Sequence, residues 1–442
     1  MSAETAHAQQ TPWTHYTLSN GLEVILEERH DTPRVAVEVD YHVGRRDQPD
    51  GCSGLAHLTE HLMFTWARAR PNGDAVQFLS SVGTEHAVGM TSNDVTRYAE
   101  VVTSSALERV LAFESDRMGF LLDHIDQRKL EAQRLIIARE REERALSFGS
   151  RDAFAMLIGT LYGTAHPYRF AIEQPTDAMS LTLDDVRWFH QRWYVPSNAT
   201  LVVVGDFETA QARRWIERYF ASLARVARPE RAQATAVRLT AEQTLITPGA
   251  RFEDRLVLAW STPALGAEDD AELDLIADLL AGNVLARLTQ RLTRDTPVAL
   301  GVDASQASEA LGSMFFISAV TSDRRPAEIL ISHIDAELAR LRTEEIALDE
   351  LRGVQSQRLI AMRENQSTID GRADWLATWA RMGGPLEHRA REAFERYQRV
   401  TPRSIRRAAR RWLSTTSRVV LINRARTTAQ PTHSTTVVGA LR

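Results

Sequence analysis

Apolar and polar positions alternate from the start of the chain. Tyr16 and Leu18, then Leu22, Val24 and Leu26, occupy alternate positions on either side of Ser19-Asn20-Gly21, which predicts a hairpin over Trp13 to Glu27. Val35, Val37, Val39 and Tyr41 continue the alternation and predict a third strand over Arg34 to Gly44. After the turn Asp50-Gly51, with Ser53 as candidate cap, Leu55, Leu58, Leu62 and Met63 switch to helical spacing and predict a helix from Gly54 to Trp66. Asp74 to Val82 reads as a second helix and His86 to Val102 as one extended segment. Leu107 to Leu122 and Asp126 to Leu146 read as long periodic helices. A helix over Asp184 to Tyr194, an apolar strand over Thr200 to Val204 and a helix over Ala210 to Leu223 complete the first half.

A polar stretch from Arg225 to Ala236 then breaks the periodicity, and a domain boundary is expected there. Beyond it the same order restarts. Arg255 to Trp260 is a strand, Asp270 to Leu280 a helix, Leu300 to Gln306 and Ser313 to Thr321 are strands, Ala327 to Arg342 and Leu348 to Glu364 are helices, and Arg418 to Asn423 is a closing strand. Strand-then-helix clusters thus recur about 220 residues apart, which predicts a duplicated α+β domain. The repeat lies in the order of elements, because residue identity between the halves is low.

With 442 residues, 43% hydrophobic and 25% charged, the chain can bury two or more cores. No apolar run approaches the roughly 18 to 20 residues that a spanning helix needs, so no membrane insertion is expected. A net charge of −5 from 53 basic and 58 acidic residues gives no chain-wide attraction to nucleic acid. The run Arg403, Arg406, Arg407, Arg410 and Arg411, interleaved with Ile405, Ala408 and Trp412, reads as a solvated or interface face of a helix. One cysteine, Cys52, excludes an intrachain disulfide and a thiolate zinc cluster, leaving His, Asp and Glu as metal donors. Ala6-His7-Ala8 before Gln9 has the form of the end of a removed secretory signal, so a periplasmic location is expected, with a polar cytoplasmic tail as the alternative.

One local motif carries direct chemical meaning. In His57-Leu58-Thr59-Glu60-His61 the two imidazoles stand at i and i+4, on one face of a helix, where both can ligate a single metal with Glu60 on the adjoining edge. The bland alternative is a pair of surface histidines on an amphipathic helix. Isolated histidines, His86, His124, His166 and His190, read as surface or packing residues.

The wider segment Gly54-Leu-Ala-His-Leu-Thr-Glu-His-Leu-Met-Phe64 resembles the inverted zinc motif of the pitrilysin/insulinase family of metallopeptidases, the inverzincins. Asn20-Gly21-Leu22, Gly89 to Tyr98, Leu161 to Pro167 and Trp193 to Asp206 resemble further signatures of that family in the same order. Within the family the chain is similar to the zinc-motif subunits of short, two-domain heterodimers and to the mitochondrial processing peptidase beta subunit. The fold implied is two homologous domains, each a mixed, largely antiparallel sheet packed by helices on one side. The division implied is a flexible tail at 1–14, a zinc-binding catalytic domain at 15–225, a linker at 226–236, a metal-free homologous domain at 237–430 and a tail at 431–442.

Carried over residue by residue, the resemblance implies one Zn²⁺ per chain held by His57, His61 and Glu140, with Glu60 as the general base. Glu142 and Glu143 compete with Glu140 for the third position. Gln133 stands where the family usually has a supporting glutamate, and Val88 where relatives place a substrate-contacting asparagine, in a peptide-binding stretch with Gly89 and Thr91. The family's Arg and Tyr pair aligns with Thr293 and Leu300, with Arg294 one residue away. The implied function is a zinc-dependent endopeptidase subunit that encloses peptides and is completed by a homologous partner carrying that pair. A self-sufficient homodimeric peptidase and a non-catalytic scaffold subunit are the alternatives.

Overall fold

The structure, a computed structural model, describes residues 13–66, 74–148, 153–170, 179–231, 237–249, 253–322 and 325–425. The Ala6-to-Gln9 segment, the tail at 431–442 and residues 232–236 of the expected linker lie outside them. Trp13 and Thr14 do not: Arg372 lies 5.4 Å over the Trp13 ring, and Thr14 opens the first strand.

Eleven strands form two sheets among the described residues. The first has six: β1 (Thr14–Thr17), β2 (Glu23–Glu28), β3 (Arg34–Tyr41), β4 (His86–Thr91), β5 (Thr96–Thr103) and β6 (Ala199–Gly205), in the spatial order β1-β2-β6-β3-β5-β4. The second is built from β7 (Gln243–Pro248), β8 (Arg255–Thr262), β9 (Ala299–Ala307), β10 (Ser313–Thr321) and β11 (Val419–Arg424), in the order β7-β11-β8-β10-β9. Apart from β1 the two orders are the same, and each contains one parallel pair, β2 with β6 and β7 with β11, in an otherwise antiparallel ladder. The expected duplication is therefore present in topology.

The expected extended segment at His86–Val102 is two strands, with the turn Ser92-Asn93-Asp94-Val95 between them. Only β4 is an edge, because β5 pairs with both β3 and β4. Ser92-Asn93-Asp94 is the turn signal that marks the break.

Helices α1 (Leu55–Leu62), α2 (Ala75–Ser81), α3 (Leu107–Phe120), α4 (Gln127–Phe148), α5 (Ala153–Tyr162), α6 (Leu183–Trp193) and α7 (Thr209–Phe220) belong to the first half. Most of them cover one face of the first sheet, where Val35, Val37, Val39 and Tyr41 of β3 meet Leu55, Leu58, Leu62, Leu107 and Phe189. In the second half α8 (Asp270–Ala281), α9 (Arg287–Gln290), α10 (Glu328–Thr343), α11 (Leu348–Asn365) and α14 (Pro402–Trp412) lie with the second sheet. The remaining faces are covered by exchange. Helices α12 (Ile369–Arg381) and α13 (Leu386–Gln398) come from the second half, yet Ile369, Ala373, Leu376 and Ala380 pack on Ala36, Val101, Val202 and Val204 of the first sheet. Reciprocally, α5 places Ala153, Leu157 and Leu161 on Ala259, Met314, Val419 and Leu421 of the second.

This exchange explains why Glu38 and Asp40, which alternate with the β3 valines, are buried rather than solvated. Beneath α12 they pair with Arg97, and Asp40 also with Arg381. No described helix is long and apolar enough to cross a membrane.

Candidate metal centre

Helix α1 starts abruptly. Its cap position is Gly54, not Ser53, and Gly54 has φ +94°, a left-handed conformation that side-chain-bearing residues rarely adopt. Gln48 Oε1 accepts the first-turn N–H of Ala56 at 2.9 Å, satisfying a donor the helix cannot. Leu55, Leu58 and Leu62 are anchored in the core, which fixes the roll of the helix.

His57 and His61 consequently face α4. Their Nε2 atoms are 3.1 Å apart, and Glu140 brings Oε2 to 3.6 Å from that of His57 and Oε1 to 3.6 Å from that of His61. A tetrahedral zinc with bonds of about 2.0–2.1 Å needs donors about 3.3–3.4 Å apart. The observed spacings bracket that value, and two imidazoles with one carboxylate are the donor types zinc takes, so the residues present fit the ion. Glu143 lies exposed farther along α4, and the side chain of Glu142 is outside the described residues.

Gln133, two turns further back on the same face of α4, places Oε1 3.1 Å from His61 Nδ1. The amide oxygen accepts from Nδ1–H, which leaves the Nε2 lone pair directed at the shared centre. A neutral amide orients the ring as a carboxylate would but polarises it less.

Glu60 stands beside the donors, its carboxylate within 4.8 Å of both imidazoles. Thr91 on β4 donates its hydroxyl to Glu60 Oε2 at 2.6 Å. Two residues back, a Cβ on Gly89 would lie 2.5 Å from Phe64 Cε2 and 2.9 Å from Glu60 Oε1, so the strand reaches the helix only because Gly89 has no side chain. Strand periodicity sends the neighbouring side chains the other way. His86 comes within 3.9 Å of Asp370 on α12, and Val88 and Met90 are exposed. The structure thus brings Gly89 and Thr91, but not Val88, to the metal-facing side. The hydroxyl of Thr91, expected at a peptide contact, is committed to Glu60, a role with no local signature in the chain.

Below the centre, Phe64 and Tyr98 pack on the fully buried Arg117, whose guanidinium is 4.0 Å from the Tyr98 ring centroid. Arg117 pairs with Glu100 at 3.0 Å and Glu114 at 2.5 Å. Burial, together with Glu114, holds the Glu100 carboxyl well above the usual range.

At the corresponding helix positions the second domain carries other residues. Helix α8 begins as α1 does, from a cap with positive φ, Asp269 at +73°. Counting from the two caps, Glu272, Leu275 and Ile276 take the places of His57, Glu60 and His61. Thr293 donates its hydroxyl to Thr289 O, Arg294 is exposed, and Leu300 stands 64% exposed on edge strand β9.

Among the described residues, His124, His166 and His190 have packing roles. His124 stacks on Trp66, His166 lies among Tyr162 and Tyr168, and His190 stacks on Tyr194, where burial lowers it to about 4. In the arginine run, Arg407 and Arg411 pair with Asp269 and Arg406 with Glu345, so the helix serves the second domain's own surface.

Two family models match the chain: Insulinase (Peptidase family M16) over residues 23–163 and Peptidase M16 inactive domain over residues 180–358. A zinc protease PqqE of Helicobacter pylori is 28% identical over 386 residues, covering 84% of this chain and 85% of that protein. A solved protease from Helicobacter pylori superposes with a TM-score of 0.84 at 24% identity, over 94% of this chain and all of that one. The periplasmic protease PqqL of Escherichia coli superposes with a TM-score of 0.75 at 19% identity, and the match spans 93% of this chain but 47% of that protein. Matched by both models over most of its length and sharing the two-domain fold of these proteases, the chain belongs to the insulinase family, peptidase family M16.

Proposed function

We propose that the protein is a zinc-dependent endopeptidase subunit that hydrolyses peptides or small unfolded proteins. The observation that carries this reading is the convergence of His57 Nε2, His61 Nε2 and Glu140 with Glu60 beside them. In it, residues 15–225 form the metal-bearing domain and residues 237–430 its metal-free homologue. The relatives named zinc proteases support the choice of ion and reaction.

His57, His61 and Glu140 would hold one zinc. Zinc, when bound there, supplies a Lewis acid that lowers the pKa of a water and polarises a peptide carbonyl. Glu60 accepts the proton of the attacking water and delivers it to the leaving amine, with Thr91 holding Oε2 so that Oε1 is the oxygen left for proton transfer. Edge strand β4 offers its open side to the substrate backbone, with Val88 and Met90 beside the added strand.

A homologous partner completes the site in this reading. Thr293 and Leu300 provide neither a cationic donor nor a phenol for the tetrahedral intermediate, and losing one such donor typically lowers the rate by about 10² to 10³. A periplasmic setting is proposed by analogy with the Escherichia coli relative.

The test is metal content and cleavage of a quenched peptide. The purified chain should carry one zinc, and His61→Ala should carry none. Cleavage should be feeble for the chain alone and rise when a homologue with the Arg and Tyr pair is added. Full zinc in His61→Ala would overturn the ligand set, and vigorous cleavage by the chain alone would overturn the need for a partner.

A further inference from the structure

The turn between β4 and β5 reaches across to the second domain. Asn93 Nδ2 donates to both carboxylate oxygens of Glu309, at 2.8 and 2.9 Å. Asp94 accepts the backbone N–H of Ala310 at 2.8 Å and the Tyr168 hydroxyl at 2.9 Å, while pairing with Arg46 at 2.5 Å. Tyr168 in turn accepts the N–H of Leu311 at 2.9 Å. Glu309 to Leu311 belong to the turn between β9 and β10, so one polar cluster joins corresponding turns of the two sheets. Ser92 follows Thr91 directly, so the cluster also anchors the end of the strand that holds Glu60.

We propose that the Ser92–Val95 turn, Glu309 and Tyr168 form a proton-operated clasp between the domains, closed while Glu309 carries its proton and loosened when it does not.

The geometry supplies the reason. Two carboxyl groups from different domains share one cluster, Asp94 buried and Glu309 part-buried, and two charges there repel in a medium that screens them less than water does. Burial first, and the Asp94 carboxylate second, push Glu309 up to about 7, against the lowering effects of Asn93, Arg45 and Arg46. Other titratable groups facing the cluster are Tyr162 and Tyr168, both raised by burial, and His166, lowered by burial. Asp47 faces Arg46, and Asp270 reaches the turn through the Ser308 hydroxyl. An ordinary glutamate titrates near 4.5, so the closed clasp holds a proton that a solvated Glu309 would lose between about 4.5 and 7. Closed binds more protons than open, and closure therefore weakens as pH rises through that window.

Hydrogen exchange on the intact chain at pH 6.0 and pH 8.5, corrected for intrinsic rates, reads the clasp at the amides of Ala310 and Leu311. Their protection should fall at least about fivefold at the higher pH in the parent chain and stay within about twofold in Glu309→Gln. Asp94→Asn, which removes the opposing charge, should reduce the dependence as well. It also decides the matter together with the parent chain if Glu309→Gln does not fold. Constant protection in the parent chain, or an undiminished pH dependence in the folded variants, would overturn the clasp.

Discussion

Glu60→Gln is expected to retain zinc at the level of the parent chain and to lose about 10² to 10⁴ in kcat, the usual contribution of a positioned acid-base group. The amide keeps the shape of the side chain and can still meet the Thr91 hydroxyl, but it cannot take a proton. None of the three metal donors is touched. Thr91→Val should follow with a smaller loss of about ten- to a hundredfold in kcat, since a hydrogen bond to a charged group is worth about 1.5–3 kcal/mol, with KM and zinc content unchanged. Thr91→Ser, which keeps the hydroxyl, should recover most of it. Near-parental turnover by Glu60→Gln, measured on an active assembly, would take Glu60 out of the reaction.

Arg117→Met should cost about 3–5 kcal/mol of stability, because it leaves Glu100 and Glu114 buried without their cation. The loss is read as a shift of the urea midpoint. It should be smaller at pH 5 than at pH 8, because the orphaned pair is neutralised by taking up protons. A shift worth less than about 1 kcal/mol at pH 8 would mean that the cavity admits water or a counter-ion. The same substitution should disturb the metal centre, since Phe64 and Tyr98 rest on this guanidinium.

Most elements of the fold could be read from periodicity, and the reasons differ where they could not. The valines of β3 and the leucines of α1 each define a face, and the structure uses both faces as expected. Glu38 and Asp40 carry the pattern of a solvated face but lie beneath α12. Nothing local to β3 announces a helix more than 300 residues away, and the apolar positions Ile369, Ala373 and Leu376 show that α12 has a partner without showing which sheet it is. Helix α5 is too uniformly apolar to reveal a face by its spacing.

At the metal centre His57, Glu60 and His61 are legible because i, i+4 geometry is local. Glu140, 79 positions beyond His61, was reachable only through resemblance. The Thr91–Glu60 contact depends on how closely β4 approaches α1, a distance set by Gly89 and invisible in any pattern of polarity.

The crossed helices bear on how the chain could ever be divided. Each half, alone, would leave one broad sheet face bare: the first without α12 and α13, the second without α5. Bare apolar sheet of that kind favours aggregation over independent folding. A cut within residues 232–236 would therefore leave a nicked but undivided particle, and the halves could be made as separate polypeptides only if they folded together. The two copies of the fold are thus interlocked, each half carrying helical cover that the sheet of the other needs.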